Sequence, residues 1–147
     1  MSYELSFYKA DLGAIRKIVE SESIDVGVER LFEILDVNCQ YVNGLQHSSG
    51  CGGYFYEYIN TIAADYFSEQ KIYELFMSRN DLVPSLSEVN FGYLKYMEME
   101  QFILATQGKD KEVYFEDNDD FEEDLDVLEE TFLEAVRERK DIICIYS

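Results

Sequence analysis

A chain of 147 residues, 47% hydrophobic and 15% aromatic, is long enough for one domain with a real core and too apolar for a disordered acidic tract. Its 31 acids against 12 bases leave a formal charge of −19, which argues against nucleic acid or an anionic membrane as a partner. That balance favours a basic partner or plain solubility.

No apolar run approaches the roughly 20 residues of a membrane span. The opening MSYELSFYKADLGAIRKIVE lacks the basic and apolar regions of a signal peptide. Three widely spaced cysteines, Cys39, Cys51 and Cys144, are expected as reduced thiols of a cytoplasmic protein.

In chain order, residues 2 to 9 alternate with Tyr3, Leu5 and Phe7 on one face, which predicts a strand. Asp11 can cap a helix carrying Leu12, Ile15, Ile18 and Val19, and Asp25 is expected to open a second with Val28, Leu31, Phe32 and Leu35. NGLQHSSGCGG, residues 43 to 53, reads as a loop because it is rich in glycine and serine. Phe55, Ile59, Ile62 and Tyr66 mark a third helix over 54–67, and residues 71 to 77 suit a short one. A strand over 89–97 passes into a helix over 98–106, and a long helix spans about 119 to 138. The terminal DIICIYS reads as a central strand, paired with the first strand so that neither apolar end is exposed. The expected fold is a single α+β domain with a small sheet that includes both terminal strands, packed with about five helices.

Candidate sites are few. An EF-hand needs oxygen ligands at loop positions 1, 3 and 5, glycine at 6 and glutamate at 12. Counted from Asp117, positions 5 and 12 are Phe121 and Leu128; counted from Asp120, positions 6 and 12 are Leu125 and Thr131. Neither register binds calcium. Cys39, His47 and Cys51 lack zinc-ligand spacing. His47 is the single histidine, and with Cys51 it flanks the glycine-rich loop, where a reactive pair or a small-ligand pocket lined by Tyr54 and Tyr56 could sit. The plainer reading is a surface histidine and a small loop cysteine. GCGGYFYEY precedes a helix but lacks the ending of a phosphate-binding loop. No catalytic residue, metal or cofactor is assigned.

EDNDDFEEDLDVLEE, residues 116 to 130, is the strongest lead. Phe121, Leu125, Leu128, Phe132 and Val136 form one apolar stripe. Glu122, Asp126, Glu130, Glu134 and Glu138 step by four, so like charges stack along the helix at about 0.2–0.5 kcal/mol per contact. On a helical wheel Val127 falls nearly opposite the stripe, beside Glu123, Asp126, Glu130 and Glu134. An apolar contact ringed by acids suits a basic partner with a complementary groove. The competing reading is a solvated acidic face with one stray valine.

Four blocks, SYELSFYKADLGAIRKIV, CGGYFYEYI, FGYLKYMEMEQ and RKDIICIY, resemble a small uncharacterised bacterial family, distantly similar in layout to YfbM-like proteins. The resemblance implies one α+β domain and carries no catalytic residues. Small bacterial families of this type include immunity proteins encoded beside toxins. The expected function is therefore an immunity- or antitoxin-like protein that neutralises a basic toxin, possibly a nuclease. Its expected contacts are Glu122, Glu123, Asp126, Val127, Glu130 and Glu134. The alternative is a small-ligand protein or enzyme using the loop around His47 and Cys51.

Overall fold

The computed structural model describes residues 2–22, 26–48, 75, 79, 81–83, 90–106 and 119–146. They form β1 (Ser2–Ala10), α1 (Leu12–Ser21), α2 (Val28–Asn38), β2 (Gln40–Ser48), β3 (Asn90–Leu94), α3 (Tyr96–Thr106), α4 (Asp119–Glu138) and β4 (Asp141–Tyr146). The sheet runs β2-β1-β4-β3 and is antiparallel throughout. This is an α+β architecture, with four helices among the described residues where about five were expected. The helix predicted over 54–67 lies outside the described residues.

The two terminal strands pair at the middle of the sheet, with Phe7 opposite Cys144 and Tyr8 opposite Ile143. Both faces of this pair are covered. Leu5, Phe7, Ile142 and Cys144 pack with Met99 and Phe102 of α3 and with Leu128, Phe132 and Ala135 of α4. Ala10, Ile143 and Ile145 pack with Leu12 and Ile15 of α1 and with Leu31, Ile34 and Leu35 of α2. A strand buried on both sides cannot alternate polar with apolar, which is why DIICIY is continuously apolar.

Local chemistry sets the helix ends. The Asp11 carboxylate accepts the Ala14 N–H at 3.2 Å and caps α1 as expected. The second helix starts at Val28, capped by Gly27, rather than at Asp25, which lies outside the described residues. Arg139 adopts a left-handed φ of 55°, and its own N–H and the next one close the end of α4: Arg139 donates to the Val136 carbonyl and Lys140 to that of Ala135. This turn reverses the chain directly into β4.

Two boundaries differ from expectation. The stretch read as a loop from residue 43 is, up to Ser48, part of β2, an edge strand paired with β1 whose register shifts by one residue at Val42. Asn43-Gly44 resembles a turn locally, but pairing with β1 overrides that preference. The Glu4 side chain lies across Gly44: a Cβ at 44 would stand 2.0 Å from Glu4 Oε1 and would push that carboxylate aside. That carboxylate accepts the Tyr41 hydroxyl, and partial burial together with Glu4 pushes the phenol up to about 12. The strand expected over 89–97 ends at Leu94, and α3 begins at Tyr96 instead of residue 98. Two carboxylates hold this earlier start. Glu98 accepts the Lys95 N–H at 2.9 Å, and Asp141 accepts that of Tyr96 at 2.9 Å.

Candidate functional site

The long acidic helix has the predicted bounds, Asp119–Glu138, but it is rotated about its axis from the expected orientation. Leu128 and Phe132 face the core as read from the stripe, joined by Thr131 and Ala135. Thr131 lies on this side at little cost because its hydroxyl donates to the Val127 carbonyl at 2.8 Å. Its burial turns Val127 inward, so Val127 is half-buried against the core cluster and is not the exposed contact placed opposite it. The wheel weighted bulky apolar residues and gave Thr131 and Ala135 no pull, which is the source of this correction.

The ladder of like charge divides into two parts. Glu134 and Glu138 converge on Lys9 Nζ, Glu134 at 3.2 Å. The Lys9 side chain is only 6% exposed, whereas the two carboxylates are about half exposed. The hydrogen bond to Glu138, opposed by partial burial and reinforced by Glu134, pushes the Lys9 amine above its ordinary 10.5. Their i,i+4 repulsion is therefore offset by a shared cation, and Glu134 is a structural ion-pair partner as well as a surface acid. Lys9 was missed, although it continues the Tyr3, Leu5, Phe7 alternation onto the buried face. A lysine at such a position calls for an anionic partner.

Asp126 and Glu130, one turn apart, remain exposed on the outward side, together with Arg137 and Leu133 at 45% exposure. Leu133, whose helical neighbours include Glu130 and Arg137, thus occupies the position expected of Val127: an apolar side chain on the acidic face. Glu122 and Glu123 belong to the same helix, and their side chains lie outside the described ones.

A second polar cluster holds residues 79 and 81–83 against β3. The Tyr93 hydroxyl donates to the Asp81 carboxylate at 2.9 Å, and Arg16 stands 3.5 Å from it. The Arg79 guanidinium lies 4.2 Å over the Tyr93 ring and donates to Glu98 at 2.8 Å. Against partial burial, the Tyr93 hydroxyl and then Arg16 hold Asp81 below the usual carboxylate range. Every charged group here has a partner inside the cluster, as a structural clamp requires.

A cavity of about 280 Å³ is lined by Lys9, Asp11, Asn38, Cys39, Gln40 and Glu138, among others. Burial pushes the Cys39 thiol up to about 11 from its ordinary 9.0. At pH 8 this leaves about a hundredfold less thiolate than an ordinary cysteine, so alkylation of Cys39 should be slowed by a similar factor. Peptide mapping after a short iodoacetamide pulse checks this, and labelling at the rate of a free thiol would contradict it. Burial also raises the Cys144 thiol well above its ordinary value.

His47 is in β2, opposite Tyr3, and its side chain lies outside the described ones. Cys51, Tyr54 and Tyr56 lie outside the described residues altogether. Among the described residues, no cluster of histidine, cysteine or acidic side chains is placed to hold a metal ion, and no helix is long and apolar enough to cross a membrane. No family model, curated protein or solved structure matches this chain, so its surface is read from its own chemistry.

Proposed function

We propose that this protein is an immunity- or antitoxin-like inhibitor that captures a basic protein, such as a nuclease toxin, on the outward face of α4. The observation that carries the reading is the exposed pair Asp126 and Glu130 beside the exposed Leu133, on a helix whose opposite side is firmly seated in the core. Glu122 and Glu123, earlier in the same helix, are proposed as further contacts from their spacing in the sequence. The net charge of −19 steers a cationic partner towards it and speeds association at low salt. Small size, the lack of a catalytic motif and the resemblance to small bacterial families agree with a binding function.

The test is made with a panel of purified basic nuclease toxin domains, and a panel that yields no binder counts against the proposal. The double charge reversal Asp126→Lys, Glu130→Lys should weaken binding by about tenfold to a hundredfold and flatten its dependence on salt. Both positions are exposed, so the fold should survive, as circular dichroism would report. Unchanged affinity with an intact fold sinks the proposal.

A further inference from the structure

We propose that the β1–β2 end of the sheet, on the side away from α4, is a docking site for an arginine side chain of a protein partner. It is a second surface, independent of the one proposed on α4. Side chains of β1 alternate between the two faces of the sheet. Leu5 and Phe7 face α3 and α4, whereas Tyr8 and Ala10 face the layer of α1 and α2. That layer is seated on β4 and β3 through Ile143, Ile145, Phe91 and Tyr93, and no described residue of β2 belongs to it. The face therefore stays partly open at its β2 end, where Tyr41 is 49% exposed.

Direct contacts build the site. Tyr41 stands opposite Tyr8 in the register, and their rings meet edge-to-face with centroids 5.5 Å apart. Such a pair uses one face of one ring, so the Tyr41 ring keeps at least one face for a cation. The Tyr41 hydroxyl donates to Glu4 Oε1, and the Glu4 side chain lies across Gly44, which has no Cβ to lift it. The other Glu4 oxygen has no hydrogen-bond partner among the described residues. Asp36, exposed on α2, adds a second carboxylate: burial, then Asp36 and Glu4, push the Tyr8 phenol above its ordinary 10.0.

The same chain shows what such a group binds. At Tyr93 the phenol again donates to a carboxylate, Asp81, and the Arg79 guanidinium lies 4.2 Å over the ring while donating to a second carboxylate, Glu98. Tyr41 repeats this arrangement up to the guanidinium. Every arginine of the chain lies elsewhere: Arg79 on Tyr93, Arg16 beside Asp81, Arg30 between Glu22 and Glu33, and Arg137 and Arg139 at the end of α4. A guanidinium at Tyr41 must therefore come from a partner, and a second copy is opposed by −19 against −19. Arginine suits the site better than lysine because its planar head stacks on a ring and donates two parallel N–H groups to a carboxylate. An anionic ligand would be repelled by Glu4 and Asp36.

The probes are glycine–serine peptides of about nine residues with one central arginine, lysine or citrulline. Amide NMR shifts of the labelled protein are followed at about 150 mM salt, which screens diffuse attraction. The arginine peptide should move Glu4, Tyr8, Tyr41 and Gly44 saturably and bind about fivefold more tightly than the lysine peptide. The citrulline peptide, which keeps the shape without the charge, should not bind. Tyr41→Ala and Glu4→Gln should each weaken the arginine peptide by about tenfold, with the remaining spectrum unchanged. Asp126→Lys, Glu130→Lys should leave binding at Tyr41 unaltered, which separates this site from the α4 surface. Equal binding of the arginine and lysine peptides, full affinity in Glu4→Gln, or shifts confined to α4 would each overturn the inference and leave the α4 reading to its own test. Shifts at Tyr41 that grow with protein concentration in the absence of peptide would assign the site to a second copy and overturn it as well.

Discussion

Lys9→Ala is expected to cost about 3 kcal/mol of folding stability, the largest effect of any single charged residue described. The substitution removes a buried aliphatic stem that packs at the end of β1 and strands two glutamates beside each other. Breaking a fully buried pair costs roughly 3–5 kcal/mol, and the half-exposed carboxylates recover part of their hydration, which sets the lower end of that range. Lys9→Met combined with Glu134→Gln and Glu138→Gln keeps the volume and removes all three charges, so it should lie within about 1 kcal/mol of the natural protein. Urea unfolding of the three proteins separates the cases. If Lys9→Ala were as stable as the triple variant, the ion pair would be incidental.

The same cluster has a pH signature. The folded state raises the Lys9 amine above its unfolded value of 10.5. Its stabilisation is therefore complete below about pH 10.5 and is lost as pH rises through the higher folded value. The stability gap between the natural protein and Lys9→Met should be flat from neutrality to about pH 10 and close above it.

Asp141→Ala should cost about 2 kcal/mol, equivalent to about 6 °C in Tm for a chain of this size. One oxygen of Asp141 accepts the Tyr96 N–H at 2.9 Å, and the other accepts that of Leu12 at 3.4 Å. A single carboxylate at the start of β4 thus meets the first turns of α1 and α3, where the helix dipoles favour a negative charge. Loss of one cap typically costs about 1 kcal/mol, and here the start of α3 loses its acceptor while α1, still capped by Asp11, loses a second, longer contact and a favourable charge at its dipole. Asp141→Asn retains an acceptor for the shorter contact and should recover about half of the loss. Equal destabilisation by alanine and asparagine would show that charge at the dipoles, rather than the hydrogen bonds, carries the effect.

The sequence disclosed some of these features and concealed others, for identifiable reasons. The bounds of α4 and the pairing of β1 with β4 were legible because periodicity and a bare apolar run are local signals of burial. Capping by Asp11 was legible for the same reason. Lys9 and Asp141 were not, because each is defined by groups far along the chain: Glu134 and Glu138 for one, Leu12 and Tyr96 for the other. β2 was hidden by Asn43-Gly44, whose turn preference is weaker than a full edge of pairing with β1. At the candidate site, the acidity of the outward face was plain in the sequence, but its apolar member was misassigned from Leu133 to Val127. That error came from a helical wheel, which ranks residues by hydropathy and cannot see which neighbours close over them.

The sequence by itself determined the α+β composition, the acidic charge, the two ends that must be buried together and the length of the acidic helix. Each follows from a property that a segment carries wherever it lies: its apolar period, its charge or its capping residue. Only the tertiary structure decided how far α4 turns about its axis, which of its acids are held by Lys9, and which apolar side chains of α3 and α4 remain in water. Those outcomes depend on how segments pack against one another, and a rotation of a few tens of degrees exchanges a core residue for a surface one.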